Sequence, residues 1–229
     1  MLLNQPDFSI QPTGARPQAN SYLICFSGSR VLVRRDGDHI DLPVYEELLP
    51  FLPEGFIPFE LAHVDSRTIF TAHPYKGSVL PETEQFRYED VHIFRSLPFS
   101  KAVLITTCWH LWSWYQSHRF CGCCGHANQP DEKERALRCT ACGRLSFPVI
   151  CPAVIVAVTC GEKILLAKSL NSPYRHYGLV AGYVEVGETL EQLLQHDAVG
   201  SKLGNGYAFI CNGIHQNQVI IFLTNRCVQ

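Results

Sequence analysis

Leu179 to Gln192 reads LVAGYVEVGETLEQ. It runs from the apolar Leu179, Val180 and Ala181 through a loop turned by Gly182 and Gly187 into a segment that opens a helix. Glu185, Glu188 and Glu191 gather carboxylates at that junction. Hard oxygen ligands on a loop leading into a helix suit Mg²⁺, which prefers octahedral oxygen coordination and commonly holds a phosphate-bearing substrate. The plainer account is a solvated helix face with favourable charge near its N-terminus.

Upstream lies the most specific chemical signal in the chain. Cys121-x2-Cys124 and Cys139-x2-Cys142 are separated by fourteen residues, with Gly125 and Gly143 directly after the second cysteine of each pair. Paired knuckles of this spacing place four thiolates tetrahedrally around Zn²⁺, and glycine allows the tight turn beyond each pair. Four closed thiolate positions leave none for catalysis, so this zinc is expected to be structural. Cys123 sits inside the first knuckle as a competing thiol, but the spacing favours Cys121 and Cys124. The chain has 11 cysteines, an odd number, which argues against a disulfide framework. Cys25, Cys108, Cys151, Cys160, Cys211 and Cys227 read as small buried hydrophobes.

The 229 residues are 46% hydrophobic and 17% charged, enough for a buried core in one large or two small domains. A net charge of −2 gives no general pull toward nucleic acid or anionic membrane. The N-terminal MLLNQPDFSIQP lacks a basic n-region and a continuous apolar core, and no run of eighteen apolar residues occurs. The expectation is a cytoplasmic protein with no membrane partner.

In chain order, residues 1 to 18 read as a loose lead-in rich in Pro, Gln and Asn, with order starting near Tyr22. SYLICF, Gly28 and RVLVRR read as a β-hairpin. LPVYEELLPFL reads as a helical turn, and FIPFELAHVD and SRTIFTAHP as strands joined through Asp65 and Ser66. His63 and His73 read as scaffold residues without an acidic partner at useful spacing. From Tyr88 to Tyr115 the pattern turns helical, with Ala102, Leu104, Ile105, Leu111, Trp112 and Tyr115 on one apolar stripe thickened by Trp109 and Trp114. After the cysteines, LSFPVICPAVIVAVTCGEKILLAKS reads as two strands around Gly161, with Val154 to Val158 an apolar run suited to a buried central strand. In the tail, GYAFICN and QVIIFLTNRC supply two more strands. The fold class is α+β.

AGYVEVGETLEQ, from Ala181 to Gln192, resembles the first half of the Nudix box, G-x5-E-x7-R-E-U-x-E-E-x-G-U, with Gly182 and Glu188 in register. More narrowly it is similar to the NADH pyrophosphatase branch. WYQSHRFCGCCG resembles that family's junction between helix and zinc ribbon. The resemblance is firm over residues 100 to 192 and loose over the N-terminal domain. It implies an N-terminal mixed α/β domain (1–97), a connecting helix (98–118), a zinc ribbon (119–148) and an incomplete Nudix-type α/β/α sandwich (149–229).

The implied reaction is hydrolysis of NAD(H) to nicotinamide mononucleotide and AMP by metal-activated water. NAD-capped RNA is an alternative substrate, structural Zn and catalytic Mg or Mn are the cofactors, and a homodimer is the expected assembly. Carried over by position, Glu188 and Asp197 are the catalytic candidates and Phe147 packs on the bound nucleotide. Ala181, Asp197 and Ser201 occupy Mg/Mn positions. The chain departs from the pattern where the family has R-E-U-x-E-E, since it reads His196, Asp197, Ala198, Val199, Gly200 and Ser201. Ser201 is therefore a lost ligand, and the substrate signature S-Q-P-W-P-F-P-x-S is absent. Alteration near Gln195 by frameshift, truncation or decay accounts for these departures together. They predict reduced or lost turnover, and they leave a non-catalytic zinc-ribbon module that binds nucleotide, RNA or protein as the alternative function.

Overall fold

The computed structural model describes residues 8–73, 79–96, 98–157, 159–160, 163–167, 177–190, 192–193, 207–211 and 222–223. The chain divides into two compact units, Met1–Pro148 and Val149–Gln229. The class is α+β, and among the described residues no helix is long and apolar enough to cross a membrane.

The first unit begins with β1 (Phe8–Ser9), β2 (Tyr22–Leu23), β3 (Phe26–Ser27), β4 (Arg30–Asp36) and β5 (His39–Asp41). A short α1 (Tyr45–Leu48) and a 3-10 turn (Leu49–Phe51) follow, then β6 (Pro58–Val64), β7 (Arg67–Ala72) and β8 (Phe86–Asp90). One sheet has the order β1-β6-β7-β2. The other is β3-β4-β5, with β8 also paired to β4.

SYLICF is thus not one arm of a hairpin. Tyr22 and Leu23 run parallel to Ile69 and Phe70 in the first sheet, whereas Phe26 turns through Gly28 onto Val31 in the second. Gly28 takes φ +62°, the left-handed conformation that tight turns demand of glycine. The handover works because this segment is buried on both sides. Ile24 and Phe26 enter one core with Val31 and Val33, while Leu23 and Cys25 enter a second with Leu32.

Two other expectations need correction. The lead-in is not loose throughout, because β1 pairs with β6, setting Phe8 opposite Val64 and Ser9 opposite His63. Helix also does not begin at Tyr88. Residues 86–90 form β8, pairing Tyr88 with Leu32 of β4, because Phe86 and Tyr88 alternate into the second core at strand period.

After a 3-10 turn (Val91–Ser96), α2 spans Phe99–Ser117. Its buried residues are Leu104, Ile105, Cys108, Leu111, Trp114 and Tyr115, the spacing of one face at 3.6 residues per turn. Trp114 and Cys108 hold the stripe where Ala102 and Trp112 were expected. Trp112 instead lies half-buried at its margin, its ring 5.3 Å from that of Phe26. This face fills the larger core between strands and helix, which also takes in Leu137. The remaining strands of the unit are β9 (Asn128–Pro130), β10 (Leu137–Cys139) and β11 (Leu145–Ser146), ordered β11-β10-β9.

The second unit contains β12 (Ala153–Val156), β13 (Thr159–Cys160), β14 (Lys163–Ala167), β15 (Val180–Tyr183), β16 (Tyr207–Cys211) and β17 (Phe222–Leu223). β12 is central in the sheet β15-β12-β17, and β14 is central in β13-β14-β16. Val154 and Val156 pack with Leu193, Val184 and Leu190, so the helical turn beyond the box loop lies on β12. Strands form in both tail segments read as strands. How the box helix ends is a question for residues outside those described.

Candidate functional site

The ribbon is built outward from the end of α2. The His118 carbonyl accepts the Asn128 side-chain amide at 3.0 Å, and the Arg119 carbonyl accepts the Asn128 backbone N–H at 2.9 Å. Asn128, itself buried, thereby caps the helix and starts β9. β10 pairs with β9 so that Cys139 lies opposite Asn128.

Both knuckles then close in the same way. The Gly125 N–H donates to the Cys121 carbonyl and the Gly143 N–H to the Cys139 carbonyl. Gly125 and Gly143 take φ +74° and +71°, so the glycine after each pair is required by backbone geometry. Within the knuckles, the N–H groups of Cys123 and Cys142 approach the sulfurs of Cys121 and Cys139 at 3.4 and 3.5 Å.

The four sulfurs of Cys121, Cys124, Cys139 and Cys142 all lie within 4.8 Å of one another. Cys121 and Cys142 approach to 3.8 Å and Cys124 and Cys139 to 3.4 Å. A tetrahedron of thiolates with Zn–S bonds of about 2.3 Å has sulfur separations of about 3.8 Å, so these residues fit Zn²⁺. Cys123 is exposed and stands outside the cluster. Backbone N–H groups of Cys142 and Ala141 bring the Cys139 thiol down to about 6, and those of Cys124 and Cys123 lower Cys121. Cys142 is pushed up to about 12. The Arg144 N–H favours its thiolate, but the Cys124 and Cys139 sulfurs hold its proton more strongly. Elsewhere, burial pushes the Cys25 and Cys108 thiols up to about 12, consistent with inert packing groups. Cys151 differs from that reading, being held in a disulfide.

In the second unit the box forms a strand, a loop and a helical start. Val180, Ala181, Gly182 and Tyr183 pair with Val156, Ile155, Val154 and Ala153. The loop turns at Gly187, φ +87°. There the Glu185 N–H donates to Glu188 Oε2 at 3.1 Å, and the Glu188 N–H donates to the Glu185 carbonyl at 3.1 Å. Helix begins at Leu190, behind the N-cap residue Thr189. Its hydroxyl accepts the Gln192 N–H at 3.2 Å while Gln192 Oε1 accepts the Thr189 N–H at 2.8 Å, a reciprocal capping box. T-L-E-Q carries that signature in the sequence, and the acidic reading of the same residues passed over it. Glu188 is therefore a loop residue turned back over Glu185.

Ala181 is exposed on β15, and Phe147 is 52% exposed just beyond β11 in the first unit. Asp197 and Ser201 lie outside the described residues, as do Glu191 and Gly200. Among the described residues, the four cysteines are the one group of three or more His, Cys, Asp or Glu side chains gathered closely enough for a metal ion.

Fold and site define an α+β protein built around a four-cysteine zinc ribbon. A family model described as the NADH pyrophosphatase zinc ribbon domain matches residues 116–147. The chain is 39% identical over 128 residues to the NAD-capped RNA hydrolase NudC of Haemophilus influenzae (strain PittGG), covering 55% of this chain and 48% of that protein. It is 32% identical over 168 residues to the protein of the same name from Shigella boydii serotype 18, covering 71% and 65%. With NudC of Enterobacter sp. (strain 638) the identity is 44% over 85 residues, covering 37% and 33%. The chain spans about half the length of the first of these relatives. These similarities, together with the ribbon of residues 116–147, support a relation to the NADH pyrophosphatase family of Nudix hydrolases.

Proposed function

We propose that the chain is a pyrophosphatase of the NADH pyrophosphatase type, acting on NAD(H) or NAD-capped RNA, with turnover well below that of its relatives. The observation that supports the reading is the run of strand Val180–Tyr183, the loop through Gly187 that carries Glu188, and the helical turn capped by Thr189, in the stretch whose sequence resembles the Nudix box. Relatives named for hydrolysis of NAD-capped RNA support the substrate class. Mg²⁺ or Mn²⁺ bound at such a box polarises the pyrophosphate and lowers the pKa of water. In this chain the Ala181 carbonyl, Glu188 and Asp197 would hold the ion, and Phe147 would stack on the nucleotide.

The low turnover is argued from charge. Gly200 and Ser201 stand where the family has glutamates, and a serine hydroxyl is a weak neutral ligand for Mg²⁺. Loss of one preorganised electrostatic group commonly costs on the order of 10²–10³ in rate. Hydrolysis of NADH, assayed with Mg²⁺ and with Mn²⁺ beside the Haemophilus influenzae relative, is expected to show kcat/KM lower by at least that factor. Turnover equal to the relative's would refute the reduced activity. Binding of NADH without any cleavage would favour the non-catalytic module.

A further inference from the structure

We propose that Arg135 is a latch through which the metal-bound ribbon holds the N-terminal strap, residues 8–15, against β6, so that loss of zinc frees the strap. Arg135 lies in the turn between β9 and β10 and is 7% exposed. Its Nε donates to the Ile10 carbonyl at 2.9 Å, and Nη2 reaches the same oxygen. Nη2 also donates to the Leu61 carbonyl at 2.7 Å, and Nη1 to the Glu60 carbonyl at 3.1 Å and the Tyr115 hydroxyl at 3.4 Å. One ribbon side chain therefore ties together the strap, β6 and α2. All four acceptors are neutral, so the buried cation keeps its place only while every one of these groups is in register.

The strap is also held by the pairing of β1 with β6, by the Glu60 carboxylate, which accepts the N–H groups of Thr13 and Ala15 at 2.6 and 3.0 Å, and by the Thr13 hydroxyl, 3.2 Å from Glu60 Oε1 and 3.3 Å from His63 Nε2. Arg135 fixes the backbone of Glu60 at the same time, so the latch and the Glu60 anchor share a base. Residues 12–15 of the strap, Arg16, Pro17, Phe59, Glu60 and Arg135 help to wall a cavity of about 660 Å³, whose shape then depends on the latch.

Zinc enters through the other end of the same hairpin. Arg135 precedes β10 and Cys139 ends it, four residues on, in the cysteine cluster. A ribbon of some thirty residues folds around its metal, and stripping the metal removes the constraint that keeps β9 and β10 together. Arg135 then loses the position from which it reaches Ile10.

Hydrogen exchange on the full chain tests this, with zinc content measured on the same samples. Chelation that removes the metal is expected to speed exchange at the Thr13 and Ala15 amides by about tenfold or more, while the Ile24 and Leu32 amides in the sheets keep their protection. Arg135→Gln with zinc retained is expected to give the same local acceleration, and Arg135→Lys a smaller one. Unchanged Thr13 and Ala15 exchange after zinc loss, or in Arg135→Gln with its zinc in place, would overturn the latch. So would equal acceleration at Ile24 and Leu32, which would make the metal a support for the whole unit. If Arg135→Gln does not fold, the chelation experiment on the unmodified chain decides between these outcomes alone.

Discussion

Glu60 and His63 are three apart on β6, a spacing that puts side chains on opposite faces of a regular strand. A register shift between Glu60 and Ala62 brings them to the same side, with His63 Nε2 donating to Glu60 Oε1 at 2.7 Å. His63 Nδ1 then accepts the Thr68 hydroxyl at 3.2 Å. His63 is a scaffold residue, as its isolation in the sequence indicated, yet it does have an acidic partner. Only the bulge creates that pairing.

Burial of the Glu60 carboxyl opposes ionisation, but the Thr13 N–H, His63 and the Ala15 N–H outweigh it and hold the group below the usual carboxylate range. A carboxyl depressed in the folded state contributes stability that is present above its unfolded pKa and lost as pH falls through the folded value. Glu60→Gln should therefore cost on the order of 1–3 kcal/mol near pH 7, read as a lower melting temperature. The difference from the unmodified chain should narrow as pH falls below the unfolded carboxyl's pKa and close once it has passed the folded one. A gap that persists in acid beyond that point would show that the glutamine fails for reasons of packing rather than charge. A second residue-scale expectation concerns Cys139. Its replacement by serine removes one thiolate from the four-sulfur cluster, and elemental analysis should find the zinc of the unmodified protein, one ion per chain, lost.

Among the elements, α2 carries the larger core and the box helix carries the proposed site. Leu111 is 2% exposed on the buried stripe of α2. Leu111→Ala should cost about 2–5 kcal/mol, from lost transfer energy plus the cavity left behind. Denaturant unfolding followed through the tryptophans of this helix would measure it. The box helix depends instead on its cap. Thr189→Ala leaves the Gln192 N–H without its partner and should cost about 1 kcal/mol in the second unit, whereas Thr189→Ser should be nearly neutral. Equal effects from both would place the role of Thr189 in its methyl contacts.

For the whole molecule the test is restoration. If turnover is limited by missing carboxylates, Gly200→Glu together with Ser201→Glu should raise kcat/KM for NADH by on the order of 10² or more, and Glu188→Gln in that background should abolish the gain. No gain from the pair would trace the deficit to the absent substrate signature or the altered tail.

The sequence by itself determined the zinc ribbon, because two C-x2-C pairs followed by glycine impose the same local geometry wherever they occur. It also made legible the strand and loop of residues 180–188 and their resemblance to the NADH pyrophosphatase family, since those contacts are local. Local periodicity equally gave most strands and the broad stripe of α2. What spans distant parts of the chain was decided by tertiary structure alone. The split of SYLICF between two sheets, the conversion of Phe86–Asp90 into a strand and the docking of β1 on β6 all arise from pairing with segments tens of residues away. Arg135 shows the same limit. Its charge reads as ordinary ribbon surface until Ile10, 125 residues earlier, is placed beside it, because a side chain's hydrogen bond to a distant backbone carbonyl leaves no pattern in the residue that accepts it.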